Sequence, residues 1–158
     1  MKIDAFTHIF PQAYWDKMIE ALPDGRDMHK RVRAVPSIVD LDVRFRKMDE
    51  FGEDYRQVLT IGSPPIEAFG PPRVTAALAR VANDGMAELA RSYPERFFGF
   101  AASLPMNDID AALAETRRAV RELGALGVQV FTNINGRPLY TGETQPLFDL
   151  MAELDLPM

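Results

Sequence analysis

Met1-Lys2-Ile3-Asp4-Ala5-Phe6-Thr7-His8-Ile9-Phe10-Pro11 is the stretch from which the fold is read. From Ile3 to Phe6 it alternates too little for a half-solvated strand, and its branched and aromatic residues suit a strand buried on both faces. His8 then falls at the C-terminal edge of that strand. Parallel α/β folds bind ligands at this edge, which makes the imidazole a candidate for metal binding or proton transfer. The alternative reading is a partly buried, hydrogen-bonded histidine with no chemical task.

Outward from this strand, helical and strand patterns alternate. Gln12 to Leu22 reads as a helix entered through Pro11 and closed by Pro23-Asp24-Gly25. Asp24 to Pro36 reads as a polar connection in which His29 is an exposed loop residue. Asp40 to Phe51 reads as a second helix, with Leu41, Phe45 and Met48 apolar and Gly52 as its stop. A strand is expected over Gln57 to Ile61, then a proline-rich loop from Ser63 to Pro72. The stripe Val74, Leu78, Val81, Ala82, Met86 and Leu89 predicts a long helix over Arg73 to Ser92. A third strand is expected over Phe97 to Ser103. A helix capped by Asn107 or Asp108 follows to Leu123, buried through Ile109, Ala112, Leu113, Val120 and Leu123. Val128 to Phe131 reads as a fourth strand and Gln145 to Leu154 as its helix.

Strand–helix alternation is the signature of parallel α/β architecture. Four βα units in 158 residues match half of a (β/α)8 TIM-type barrel, which takes about 250 residues. Residues 1–158 are therefore expected to be one domain, the N-terminal half of such a barrel, ending before its fifth strand. A half-barrel leaves open sheet edges, so the chain is expected to be part of a longer polypeptide or, alternatively, to close against a second copy.

Lys and Arg number 18 against 23 Asp and Glu, a formal charge of −5, which argues against a polyanionic partner such as nucleic acid. The basic cluster Arg26 to Arg33 is short, mixed with acid, and read as solvated. No segment approaches the roughly 18 apolar residues of a membrane span, and the N-terminus lacks the layout of a signal peptide. A soluble, cytoplasmic protein is expected. The chain has no cysteine, so any metal must be held by His, Asp or Glu.

In a barrel of this class the residues just after each strand converge on one pocket. Here they are Phe6 and His8, Ser63, Ser103 and Leu104, and Thr132 to Asn135. Their hydroxyls and amides can orient a substrate, and such residues are also ordinary loop formers. Asn83 and Asp84 are poor helix formers inside a helix, and a polar contact fixing that helix to a loop accounts for them.

Several segments, in order, resemble one family. They are the opening, Arg44 to Asp49 before Phe51-Gly52, Gln57 to Gly62, Ala79 to Asp84, Tyr93 to Phe97, Gly99 to Pro105, Gly127 to Val130, Pro146 to Phe148, and Leu154 to Pro157. The chain is identified by them as a member of the amidohydrolase-related family that includes aminocarboxymuconate semialdehyde decarboxylase and the aromatic-acid decarboxylases. Its members typically open Ile-Asp-x-His-x-His-x-x-x-Pro; this chain departs from the pattern by placing Phe6 at the first histidine.

The resemblance implies a divalent metal, zinc as a rule, with His8 as a ligand and further ligands and a proton-transferring histidine beyond residue 158. It implies a substrate contact from Arg44, which aligns with a carboxylate-binding arginine; Ser63, Thr132 and Asn133 are substrate-binding candidates from their strand-end positions. Arg44 paired with Asp40 or Asp42 on a helix surface is the competing reading. Phe6 cannot coordinate a metal; it packs an aromatic substrate or serves the core. The implied reaction is non-oxidative decarboxylation of a small aromatic or unsaturated carboxylic acid. Alternatives are hydrolysis of an ester, lactone or amide, and a non-catalytic relative with a degraded metal site. A homodimer is the expected partner state, with neither nucleic acid nor membrane involved.

Overall fold

The computed structural model describes residues 1–22 and 26–158. Strand β1 (Lys2–His8) is followed by helices α1 (Gln12–Ala21), α2 (Arg26–Ala34) and α3 (Leu41–Asp49). Then come β2 (Tyr55–Thr60), α4 (Pro72–Ser92), β3 (Phe97–Phe100) and β4 (Ala102–Ser103). Helix α5 (Ile109–Arg121), β5 (Val128–Gln129), the pair β6 (Asn133–Ile134) and β7 (Arg137–Pro138), and α6 (Gln145–Leu154) complete the chain. Strands β1, β2 and β3 form one parallel sheet in that order, and β4 pairs in parallel with β5. Among the described residues no helix is long and apolar enough to cross a membrane.

The opening strand is present but is not buried on both faces. Phe6 is 74% exposed and Ile3 42%. β1 is the outer strand of its sheet, so among the described residues only one of its edges is paired. Asp4 Oδ1 accepts the Phe6 N–H at 3.1 Å, which takes that amide out of the ladder, and the pairing register shifts between Asp4 and Thr7.

Residues 26–34 form a helix where the sequence suggests a polar connection. Its apolar residues are few among many charges, yet Met28, Val32 and Val35 recur at helical spacing; Met28 is buried and Val32 packs on the core. His29 is exposed, with its ring edge-on to Trp15 at a centroid distance of 5.3 Å. The expected stop at Pro23-Asp24-Gly25 lies outside the described residues.

The third strand is one extended segment with two partners. Ala101 N–H donates to Leu59 O and Ala102 N–H to Gly127 O, each at 2.9 Å, so the chain passes from β2 to β5 at this point. The fourth strand stops at Gln129 rather than Phe131. Beyond it, Asn135 and Gly136 both take positive φ, 50° and 81°, the requirement of a tight hairpin turn, and join β6 to β7.

The core gathers Tyr14 and Met18 of α1, Leu59 of β2, Leu78 and Met86 of α4, Phe97 and Phe100 of β3, and Leu147 of α6. The buried face of α4 is rotated from the expected stripe: Thr75, Ala79 and Asn83 are buried, while Val74, Val81 and Leu89 are only partly covered. On α5, Glu115 and Thr116 are buried beside Ala112 and Ala119, and Ile109, Leu113, Val120 and Leu123 lie at the core's margin.

Asn83 explains the rotation. Its amide donates to Ser103 O at 3.0 Å and to Glu115 Oε1 at 2.8 Å, and its Oδ1 accepts from Ser103 N at 2.9 Å. Glu115 is held in turn by Arg118, which also reaches Asp84 at 2.7 Å. The Asn83-Asp84 pair thus fastens α4 to β4 and α5.

Candidate active site

His8 ends β1 opposite Thr60, the last residue of β2. Its Nδ1 lies 2.7 Å from Thr60 Oγ1, and that hydroxyl donates its single hydrogen to Thr7 O at 2.8 Å. The network therefore assigns the proton to His8 Nδ1 as donor and leaves Nε2 with a free lone pair. Burial, and secondarily the nearby Arg44 charge, hold the imidazole pKa below its ordinary value, so the ring is neutral at pH 7. Gly62 makes room for it: a Cβ there would meet His8 Cβ at 3.3 Å.

Arg44 rises from α3 into the space beneath this residue and is only 5% exposed. Its Nε donates to Gln57 Oε1 at 2.8 Å, and Nη1 donates to His8 O at 2.8 Å and Ser37 O at 3.1 Å. Desolvation pulls its pKa down to about 10, which leaves it a cation at pH 7. The network continues through Gln57 Nε2, which donates to the Tyr55 hydroxyl, to Tyr55, which donates to Asp4 Oδ2 at 2.8 Å. Surface pairing of Arg44 with Asp40 or Asp42 is not what the structure shows; Asp40 instead caps α3 by accepting from Val43 N at 3.0 Å. A guanidinium buried in this way organises the end of β1.

Two clefts meet at His8. One, of about 530 Å³, is walled by Phe10, Val32, Val35 and Ile38, with Arg31 and Ser63 at its rim. The other, of about 240 Å³, is lined by Arg44, Lys47, Tyr55 and Gln57. Ser37 and His8 line both. Phe6 lines neither, yet its exposed ring stands edge-on to the His8 imidazole with centroids 4.8 Å apart.

Of the residues marked in the sequence, Phe6, His8, Arg44 and Ser63 are thus brought together. Thr132 and Asn133 are not: both are exposed on the hairpin, where Asn133 Oδ1 accepts from Gly136 N at 3.3 Å. The nearest cleft to the hairpin, about 410 Å³, is lined by Met106, Ile134, Asn135, Arg137 and Thr144, with no residue in common with the His8 clefts. Thr60, Ser37 and Arg31 were not singled out from sequence. The strand-end rule points to Thr60 once β2 is ended there; Arg31 is hidden by reading α2 as a loop.

Among the described residues no three His, Asp or Glu side chains converge to hold a metal ion. His8 Nε2 fits as one ligand, and phenylalanine at position 6 removes the second that i, i+2 spacing on a strand would supply. The residues present fit one corner of a coordination shell.

A family model described as amidohydrolase matches residues 3–158. The chain is 34% identical over 140 residues to gamma-resorcylate decarboxylase of Rhodococcus jostii strain RHA1, covering 89% of this chain and 37% of that protein. It is 30% identical over 170 residues to 2-amino-3-carboxymuconate-6-semialdehyde decarboxylase of Dictyostelium discoideum, covering 98% of this chain and 46% of that one. The crystal structure of a dihydroxybenzoic acid decarboxylase from Polaromonas sp. JS666, with bound manganese and the inhibitor 2-nitroresorcinol, superposes with a TM-score of 0.75 at 31% identity. That likeness covers 99% of this chain and 47% of the other. The chain spans less than half the length of these relatives, and its parallel strands and helices correspond to that part of an α/β TIM barrel. On the strength of a match running from Ile3 to the last residue, this chain belongs to the amidohydrolase family.

Proposed function

We propose that this chain forms the N-terminal half-barrel of a metal-dependent, non-oxidative decarboxylase that acts on a small aromatic carboxylic acid. The observation that carries the reading is the neutral His8 at the end of β1, with Nε2 free, set between an exposed aromatic ring and two clefts. Decarboxylase relatives and the inhibitor-bound neighbour support it.

His8 would hold a divalent ion, zinc by the sequence expectation and manganese by analogy with that neighbour, with the remaining ligands supplied from outside these 158 residues. Such an ion supplies positive charge against which an anionic acid is bound and oriented. The chain's own residues do the rest of the positioning. Phe6 offers a ring edge to an aromatic substrate, and Phe10, Val32 and Val35 give the larger cleft an apolar wall. Ser63 sits at that cleft's rim, and Arg44 sets a fixed positive charge beside the smaller one. A cytoplasmic location is proposed from the composition of the chain, and a homodimer from the family resemblance alone.

The test is carbon dioxide release from 2,6-dihydroxybenzoate by the natural polypeptide that carries this chain, with and without His8→Ala. Turnover that falls about 100-fold or more in the variant is expected. Water-dependent cleavage of an ester or lactone in place of carbon dioxide release would instead identify a hydrolase. One observation favours a relative that binds without turnover: Phe6 cannot act as a ligand. Absence of both activities and of bound metal in the natural polypeptide would establish that reading.

A further inference from the structure

Glu67 sits in the short 3-10 turn Ile66–Phe69 that follows β2 and is 4% exposed. Its Oε1 is buried with no hydrogen-bond partner among the described residues, and so is Oε1 of Gln129, the last residue of β5. Both residues line one small cavity with Ile61, Ser103, Leu104 and Phe131, at the point where the ends of β2, β4 and β5 converge. Two acceptor oxygens beside one space, neither satisfied, require a donor between them, because an unpaired buried oxygen costs about 1–3 kcal/mol. The space measures about 10 Å³ to a water-sized probe, which is room for a single water and nothing larger.

We propose that Glu67 and Gln129 share one internal water molecule, which donates one hydrogen to each Oε1 and thereby ties the turn after β2 to the end of β5. Water is the donor that matches both the count of acceptors and the volume. Among the described residues the lining is otherwise apolar except for the Ser103 hydroxyl, and no other titratable or charged side chain faces Glu67 in this cavity. Burial accordingly pushes the Glu67 carboxyl up from its ordinary range, opposed only by its own backbone N–H. Glu67 is in this view a positioning residue. It fixes the turn that begins just after Ser63, at the rim of the His8 cleft, and it does so whatever reaction that cleft serves.

A crystal structure of the natural polypeptide that resolves ordered water tests the site directly. One water within hydrogen-bond distance of both Oε1 atoms is the expected result; direct contact of the two side chains, no density, or a metal cation there overturns the proposal. A solution measurement is independent of crystals. Glu67→Leu, Gln129→Leu and the double variant are compared by their urea midpoints. A shared water makes the shifts non-additive, with the double variant close to the worse single one. Strictly additive shifts overturn it. Glu67→Gln, which keeps the shape and an acceptor oxygen at that position, is expected to hold the wild-type midpoint. A Glu67→Gln midpoint as low as that of Glu67→Leu also counts against the site.

Discussion

Replacing Asn83 with alanine is expected to destabilise the fold by about 3–5 kcal/mol. The side chain is fully buried and serves three partners: the carbonyl and the amide of Ser103, and the Glu115 carboxylate. Alanine leaves all three without it. A buried polar group that loses its partner costs about 1–3 kcal/mol, and the two backbone groups of Ser103 have no alternative on the buried face of β4. Glu115 keeps Arg118, so its share lies at the low end. The deleted atoms are polar, so lost apolar burial adds little. The sum is a large part of the roughly 5–15 kcal/mol that holds a domain together. Urea unfolding followed by the fluorescence of Trp15, the chain's single tryptophan, measures it. A loss below about 1 kcal/mol with unchanged slope refutes the reasoning, because it would mean that water or a rearranged Glu115 satisfies β4 without Asn83. Asn83→Asp is the sharper contrast. It keeps the shape but turns a carboxylate oxygen toward Ser103 O and Glu115, and is expected to cost more than alanine at neutral pH and less in acid.

Three further outcomes follow from the site and the packing. Nitrogen NMR of the imidazole should find the proton of His8 on Nδ1, and Thr60→Val should abolish that preference; a wild-type ring protonated at Nε2 would contradict the assigned network. The His8 pKa in the folded protein lies below the model-peptide value of about 6.5. Its neutral form is therefore the one the fold favours. The associated stability is fully present above about pH 6.5 and is lost as pH falls through the lowered folded value; an NMR titration midpoint above 6.5 would reverse the sign. Gly85→Ala places a Cβ 2.5 Å from Pro11 Cβ, where α4 crosses the entry to α1. It should cost about 1–3 kcal/mol by forcing the helices apart, and a melting temperature equal to wild type would show that the crossing yields freely.

Element type was legible in the sequence wherever periodicity was long, as in α4, or where a cap and a glycine bracketed the pattern, as in α3 with Asp40 and Gly52. It failed at α2, because three apolar residues among basic ones look like a solvated loop until a core is there to receive Met28 and Val32. It failed differently at Asn135-Gly136, a hairpin signal that the α/β reading passed over. His8 could be placed from the strand-end rule alone. What it bonds to could not, since Thr60 and Arg44 lie 52 and 36 residues away along the chain and are joined to it only by register and helix packing. The exposure of Phe6 was equally hidden: an aromatic residue in a strand reads as core until the pairing places β1 at the outer edge of the described sheet.

Arg44 has one more consequence, electrical rather than structural. Its described partners are a carboxamide oxygen and two peptide carbonyls, and no carboxylate among the described residues lies within ion-pair distance of it. The interior at the end of β1 therefore carries a positive charge that is solvated directly by dipoles and offset only through space, by the Asp4 carboxylate at the far end of the Gln57–Tyr55 chain. In a poorly screened environment such a charge acts over several ångströms. Under the proposed function it would favour an acid entering beside His8 as its anion, while an amide or ester of the same shape would gain nothing from the field. On that reading, discrimination between an acid and its neutral derivative would rest with a residue whose own side chain is almost wholly out of reach.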